Sequence, residues 1–416
     1  MTQAQARPWY SFQTILDFSG PLILGVLCAL VWANFDPHGY HAAMSWAPFG
    51  GHYNLHFVVN ELFMVLFFGI AAKEITEACL PGGALNPPSR AINPLLATIG
   101  GVLGPIGVFF LYLAITGDRS ASNGWGIPTA TDIALAWLVA RVAFGRGHPA
   151  VSFLLLLAVA DDGLGLAIIA IFYPDPSHPV APIFLLLVAA AMAGAFAMRR
   201  MGIKSFWPYL LGPGVLSWLG LYSAHLHPAL ALVAVIPFLP HATHDHGLFM
   251  ELENDAPHHS DALNRFEHFF KVPVEFGLFF FGLANAGVAM SGVGTATWAV
   301  LIALVVGKTV GIFGFGLLGH ALGFKLADGM NLRSLLVAGL IAGLGLTVAL
   351  FVAGVAFTNP GLQNAAKMGA LMSAFIAPVA ILLARSLRVK SVKIEPPEPQ
   401  TCEDVAVRDA DPALSS

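Results

Sequence analysis

Stretches of about twenty mostly apolar residues recur along the chain, each long enough for one helical pass through a bilayer. They lie near 18–35, 57–79, 92–116, 126–144, 149–173, 180–198, 206–222, 227–240, 266–289, 295–321, 333–357 and 365–388. The expectation is an all-α integral membrane protein of about twelve spans, with 227–240 the shortest. Charge supports it. Asp, Glu, Lys and Arg make 11% of 416 residues, against about 25% in soluble chains, too few to cover a water-facing surface. The 57% hydrophobic content excludes a disordered chain. A net charge of −4 argues against nucleic acid as a partner. Cys28, Cys79 and Cys402 lack paired or metal-type spacing and read as spectators.

Basic residues give an independent test of the topology. With the N-terminus cytoplasmic, Arg141, Arg146, Arg199, Arg200, Lys204, Arg265, Lys325, Arg333, Arg385 and Arg388 all fall on the inner side. Lys73 and Lys271 sit at inner helix ends, while Arg119 and Lys367 fall outside. This positive-inside pattern calls for an even number of spans and two cytoplasmic termini. No small-residue cleavage site follows a short apolar core, so 18–34 reads as a retained span. The organisation expected is a cytoplasmic segment 1–17, a membrane domain 18–388 and a disordered cytoplasmic tail 389–416. Within the domain, 241–264 is a polar inner loop carrying His241, His244, His246, His258 and His259, a candidate pH reader.

In such a chain the informative residues are the buried ionisable ones, each costing at least about 2.5–3.5 kcal/mol at a helix centre. Asp132, Asp161, Asp162 and Lys308 interrupt apolar runs. Neighbours on a helix project about 100° apart, so Asp161 and Asp162 can flank one cavity. Two carboxylates there resist joint ionisation and titrate as a coupled unit. Carboxylate oxygens also suit a hard cation such as Na+. A site that takes either a proton or a cation is the minimum hardware for cation/proton exchange. Lone buried acids also glue helices together, and lysines snorkel, but Lys308 lies mid-span and is better placed to pair with an interior carboxylate.

Helix breakers add a second signal. The 126–144 span opens with Pro128 and Thr129-Ala130-Thr131-Asp132, and 333–357 contains Gly339, Gly343, Gly345 and Thr347. Interrupted segments mark the midplane sites of many transporters, although glycines also simply permit close packing. An Asp beside two helix N-termini and a Lys beside two C-termini would neutralise those dipoles. Asp132 and Lys308 suit these roles.

These residues bring a family into view. Ala130-Thr131-Asp132-Ile133-Ala134, Asp161-Asp162 with Phe172-Tyr173, Arg265-Phe266-Glu267-His268, Ala284-Asn285-Ala286-Gly287-Val288, Gly307-Lys308 and Gly343-Leu344-Gly345-Leu346-Thr347 appear in a specific order and spacing. Over most of 15–388 the chain resembles the NhaA-type sodium/proton antiporters. The resemblance implies an inverted-repeat transporter of twelve helices, the fourth and eleventh unwound and crossing at midplane. It implies Na+ or Li+ exchanged for H+, two protons per sodium, with no cofactor and no enzymatic chemistry. Asp162 would be the main Na+ and H+ carrier, assisted by Asp161, which alternates with Lys308 as ion-pair partner. Thr131 and Asp132 would lie at the fourth-helix break. His227 and Glu267 match residues tied to pH response. The location implied is the bacterial inner membrane, with homodimerisation through outer segment 36–56.

Alternatives remain at this stage. Another exchanger such as a K+/H+ antiporter would use a similar frame, whereas the paired acids disfavour an anion symporter. An intramembrane aspartyl protease would draw its acids from different helices, and no Gly-x-Gly-Asp segment is present. A channel suits protonatable midplane acids less well than coupled exchange does.

Overall fold

The computed structural model describes residues 20–47, 54–81, 88–145, 147–174, 179–241, 261–327 and 329–389. The expected segment 1–17, the tail beyond 389 and four of the loop histidines (His244, His246, His258 and His259) lie outside the described residues. Among the described residues all regular structure is helical. In chain order the helices are α1 (Gly20–Phe35), α2 (Pro37–Met44), α3 (Leu55–Cys79) and α4 (Pro88–Thr116). A 3₁₀ segment, Ser122–Thr129, precedes α5 (Ile133–Phe144), α6 (Pro149–Phe172), α7 (Pro182–Arg200) and α8 (207–223). Then come α9 (Ala262–Asn285), α10 (Thr295–Ala321), α11 (Leu332–Ile341), α12 (Thr347–Ala356) and α13 (Pro360–Ser386).

Six of these, in α3, α4, α6, α7, α10 and α13, are long and apolar enough to cross a membrane alone. The 3₁₀ segment and α5, bent by 51° at their junction, make a seventh if taken as one span. The stretch 227–240, expected as a span, forms only short 3₁₀ turns at Pro228–Leu230 and Ile236–Phe238. Pro237 removes a backbone donor that a continuing helix would need, and Pro240 follows at its end. α9 is long enough to cross but is less apolar, because Arg265, Glu267, Lys271 and Glu275 interrupt it.

Packing relies on small residues, as expected where lipid removes the usual hydrophobic drive between helices. α4 and α10 lie together along their length. A Cβ at Gly311 would sit 2.0 Å from the Gly100 carbonyl oxygen, and one at Gly104 2.3 Å from that of Gly307. α1 and α9 meet in the same way, with Gly25 against the Phe279 carbonyl. Large apolar side chains point outward instead, including Leu27 and Val31 of α1, Phe110 and Leu111 of α4, and Val379 and Leu382 of α13. Only 11% of the most apolar stretch of α7 is buried. An apolar surface of this extent calls for lipid as its solvent.

The two ends of the bundle differ. At the basic end Arg199 donates to Pro237 O and meets His241, Arg265 donates to Lys204 O, and Arg333 donates to Leu387 O. At the opposite end Asn34 bonds Val288 and Met290, and Ala181 N donates to Ala224 O.

The glycine contact yields a stability test. Gly311→Val drives side-chain atoms into the α4 backbone, an overpacking of about 1–3 kcal/mol or more. The expected outcome is a clear drop in the detergent melting temperature. Gly314→Ala on the same helix, with nothing within 4 Å of the added carbon, should leave it nearly unchanged.

Candidate functional site

The site forms where two helices are interrupted. Residues 130–132 separate the 3₁₀ segment from α5, and 342–346 separate α11 from α12. The two interruptions cross, with Asp132 N donating to Leu344 O at 2.7 Å. Broken helices expose backbone groups that lipid cannot solvate, and named side chains answer them. Asp132 Oδ1 accepts from Leu135 N at 3.1 Å and so caps α5. Its Oδ2 accepts from the Thr347 hydroxyl at 2.7 Å and from Thr347 N at 3.3 Å, at the start of α12. One carboxylate therefore serves two positive helix ends, the arrangement in which the dipoles favour it. Thr131 Oγ1 reaches the Ala342 carbonyl, just past the end of α11, at 2.9 Å. Gly345 N donates to Ser373 Oγ on α13 at 3.3 Å.

Beside this crossing lies the buried ion pair. A π turn at Ala303–Gly307 precedes Lys308 on α10. Lys308 Nζ donates to Asp161 Oδ2 at 2.5 Å and to Thr131 Oγ1 at 2.6 Å, and neither charged side chain is exposed. Thr131 Oγ1 also lies 2.9 Å from Asp161 Oδ2. The interior carboxylate expected for Lys308 is thus Asp161.

Asp162 has a different environment. The 100° step along α6 turns it away from Lys308 and into a cavity of about 140 Å³. Thr131, Asp132, Thr347, Glu74, Glu267, Lys271 and Glu275 share the walls. Among the described residues Asp162 makes no hydrogen bond, and its Oδ1 is buried without a partner. The sequence reading allowed both carboxylates to flank one cavity. The structure divides them, because Asp161 is held by Lys308 and lies outside the cavity lining.

A second charged group lies towards the basic end, centred on Lys73, which was not singled out from the sequence. Lys73 was placed at a helix end, yet it is fully buried. It pairs with Glu77 at 2.5 Å and also with Glu267 of α9. Glu74, its neighbour, faces the Asp162 cavity. The available signal was the i, i+4 spacing of Lys73 and Glu77 in an apolar helix. His227 and Glu267, paired by resemblance as pH-responsive, do not come together. His227 lines a separate cavity of about 680 Å³ at the opposite end, beside Phe351 with ring centroids 5.9 Å apart. The two cavities share no lining residue. On α12 the site cavity ends at Val348 and the other begins at Phe351, whose ring packs edge-on against Phe68 at 5.2 Å. One apolar helical turn separates them.

A helical membrane bundle with two interrupted helices crossing over a buried acid–lysine pair defines a secondary ion transporter. Residues 15–384 match the family described as Na+/H+ antiporter 1. The chain belongs to that family. It is 61% identical over 376 residues to the Na(+)/H(+) antiporter NhaA of Geobacter metallireducens, covering 90% of this chain and 97% of the relative. The Desulfitobacterium hafniense protein of the same name is 60% identical over 378 residues, covering 91% and 96%. That of Jannaschia sp. is 45% identical over 420 residues, covering 91% and 98%.

Two stability predictions arise from this geometry. Lys308→Ala strands Asp161 and should cost about 3–5 kcal/mol, seen as a large fall in melting temperature. Adding Asp161→Asn to a Lys308→Met background should restore most of it. Asp132→Ala removes caps from two helices at about 1 kcal/mol or more each. Asp132→Asn, still able to cap, should melt well above the Ala variant.

Proposed function

We propose that this protein is a secondary active Na+(Li+)/H+ antiporter with Asp162 as the shared carrier of cation and proton. One observation carries the reading. Asp162 is a buried carboxylate with no hydrogen-bonding partner among the described residues, set in the wall of a cavity beside the helix crossing. Its oxygens are hard donors suited to a small hard cation. A protonated Asp162 that takes Na+ releases one H+, and a second H+ leaves the Asp161–Lys308 pair in the same cycle, so that two H+ replace one Na+ and net charge moves. The same oxygens cannot hold both, so cation and proton fluxes are coupled in opposite directions. Asp161, tied to Lys308, assists when it leaves that pair, and Thr131 and Asp132 keep the crossing assembled. The family membership and the identity to proteins named Na(+)/H(+) antiporters support this reading over a K+/H+ exchanger and over a protease.

In this proposal the basic end faces the cytoplasm of a bacterial inner membrane, with both termini inside, as the positive-inside pattern favours. The chain makes twelve passes, 18–388, arranged as inverted repeats, and the conformation is open to the cytoplasm at Asp162 and sealed outward at Phe351 and Phe68. Protons moving inward expel sodium, electrogenically. Glu267, bound to Lys73 in the inner cavity, and His227 beyond the seal adjust activity to pH. The exposed Trp46 of segment 36–56 makes that segment a candidate homodimer contact.

The test is Asp162→Asn in proteoliposomes with an imposed pH gradient. Addition of Na+ or Li+ should collapse the gradient with the unmodified protein and leave it intact with the variant, at an unchanged melting temperature. Sodium-driven proton flux retained by the variant would defeat the assignment.

A further inference from the structure

One basic side chain stands on the wall of the site cavity, and exchange at Asp162 leaves it without a task. Lys271 of α9 lines that cavity together with five carboxylates, those of Glu74, Asp132, Asp162, Glu267 and Glu275, and no other basic residue does so among the described residues. Asp132 caps α5 and α12, and Glu267 is bound by Lys73. Lys271 shares the cavity with the other three. Its place on α9 follows from the helix repeat. It lies four residues from both Glu267 and Glu275, so the three side chains follow one another along a single face, about 6 Å apart. Val274 and Leu278 complete that face. Glu74 of α3, on the same walls, is near enough for its carboxylate and the ammonium to attract. The cavity, of about 140 Å³, has room for a handful of waters at about 30 Å³ each. A cation entering it must come close to Lys271.

We propose that Lys271 is a tethered competitor of the transported cation, held among the cavity carboxylates until Na+ displaces it, and so sets the sodium affinity of the cytoplasmic face. This rests on the antiport reading above. An ammonium is a compact, strongly hydrated charge on a flexible stem, able to swing off one partner without moving its helix. Carboxylate oxygens serve it and a hard cation alike, but two positive charges in so small a space repel each other. Na+ on its way to Asp162 therefore gains less from Glu74 and Glu275 than it would without the lysine whose charge offsets them. The same charge keeps the cavity usable. Three carboxylates standing together without it would resist ionisation and take up protons in place of the cation.

The experiment measures Na+-driven proton flux at an alkaline pH, where protons compete least. Everted membrane vesicles present the inner face to added sodium, and right-side-out vesicles present the outer one. Lys271→Met should lower the half-saturating sodium concentration at the inner face about fivefold. It should leave the outer-face value nearly unchanged, because ions arriving there meet the separate cavity first. Lys271→Arg keeps the charge and should stay close to the unmodified protein. A lysine that merely holds α9 in place would lower the maximal flux and the melting temperature without separating the two faces. If the Met variant folds poorly, Lys271→Gln in detergent supplies a second reading. The sodium concentration giving half of the Na+-induced rise in melting temperature should fall by a similar factor. An inner-face value that stays or rises, an equal shift on both faces, or an Arg variant that behaves like the Met one would overturn the inference. If the unmodified protein itself shows no Na+-driven flux, it is the antiport reading that fails.

Discussion

The architecture depends on one carboxylate answering the backbone groups of two broken helices. Inside a bilayer each unpaired N–H or C=O costs several kcal/mol, so helices break there only where something polar replaces their hydrogen bonds. Asp132 meets Leu135 N, Thr347 N and the Thr347 hydroxyl with its two oxygens, while its own amide meets Leu344 O. Chains 215 residues apart are joined through this side chain. Thr131 and Ser373 complete the junction on either side. Without these contacts the crossing would have no reason to form, and the polar floor beneath Asp162 would be absent.

The division of labour between Asp161 and Asp162 follows from helix geometry imposed on that floor. Glycine contacts fix α10 against α4, which brings Lys308 to one side of α6. Asp161 faces it, and the next residue cannot. The buried lysine therefore neutralises one acid through its Oδ2 and leaves the other with no hydrogen-bonding partner among the described residues, at the edge of a cavity. Two paired acids would bind no cation, and two unpaired acids would repel each other strongly in so dry a place. A buried ion pair is weak evidence for stability; here its value lies in deciding which neighbour stays available.

Much of this was legible in the sequence, for physical reasons. Lipid sets a length for each apolar run, and a charge inside such a run is conspicuous, so Asp132, Asp161, Asp162 and Lys308 stood out. The interruptions at 130–132 and 342–346 were readable from Pro128 and from Gly343 and Gly345. The rotation that separates Asp161 from Asp162 was not, because it depends on which helix packs where. Lys73 read as an interfacial residue because its burial depends on Glu267, distant in sequence. The irregular backbone of 227–240 was not legible either, since hydropathy scores side chains and ignores the donors that prolines remove. His227 and Glu267 share a likeness to other chains but no cavity, and only the packing of α12 reveals the turn between them.

That turn ties the helix crossing to the opposite cavity. Thr347, which bonds Asp132, and Val348, which borders the site cavity, begin the same short helix whose Phe351 closes the opposite cavity. α12 is only ten residues long and starts at the junction. A rigid helix of that length cannot shift at its capped end without moving the ring one turn further on. Any rearrangement of the Asp132–Thr347 contact must therefore be felt at Phe351. Short polar contacts thus run from Lys308 through Thr131 and Asp132 to Thr347, joining the buried ion pair to the helix whose Phe351 borders the opposite cavity.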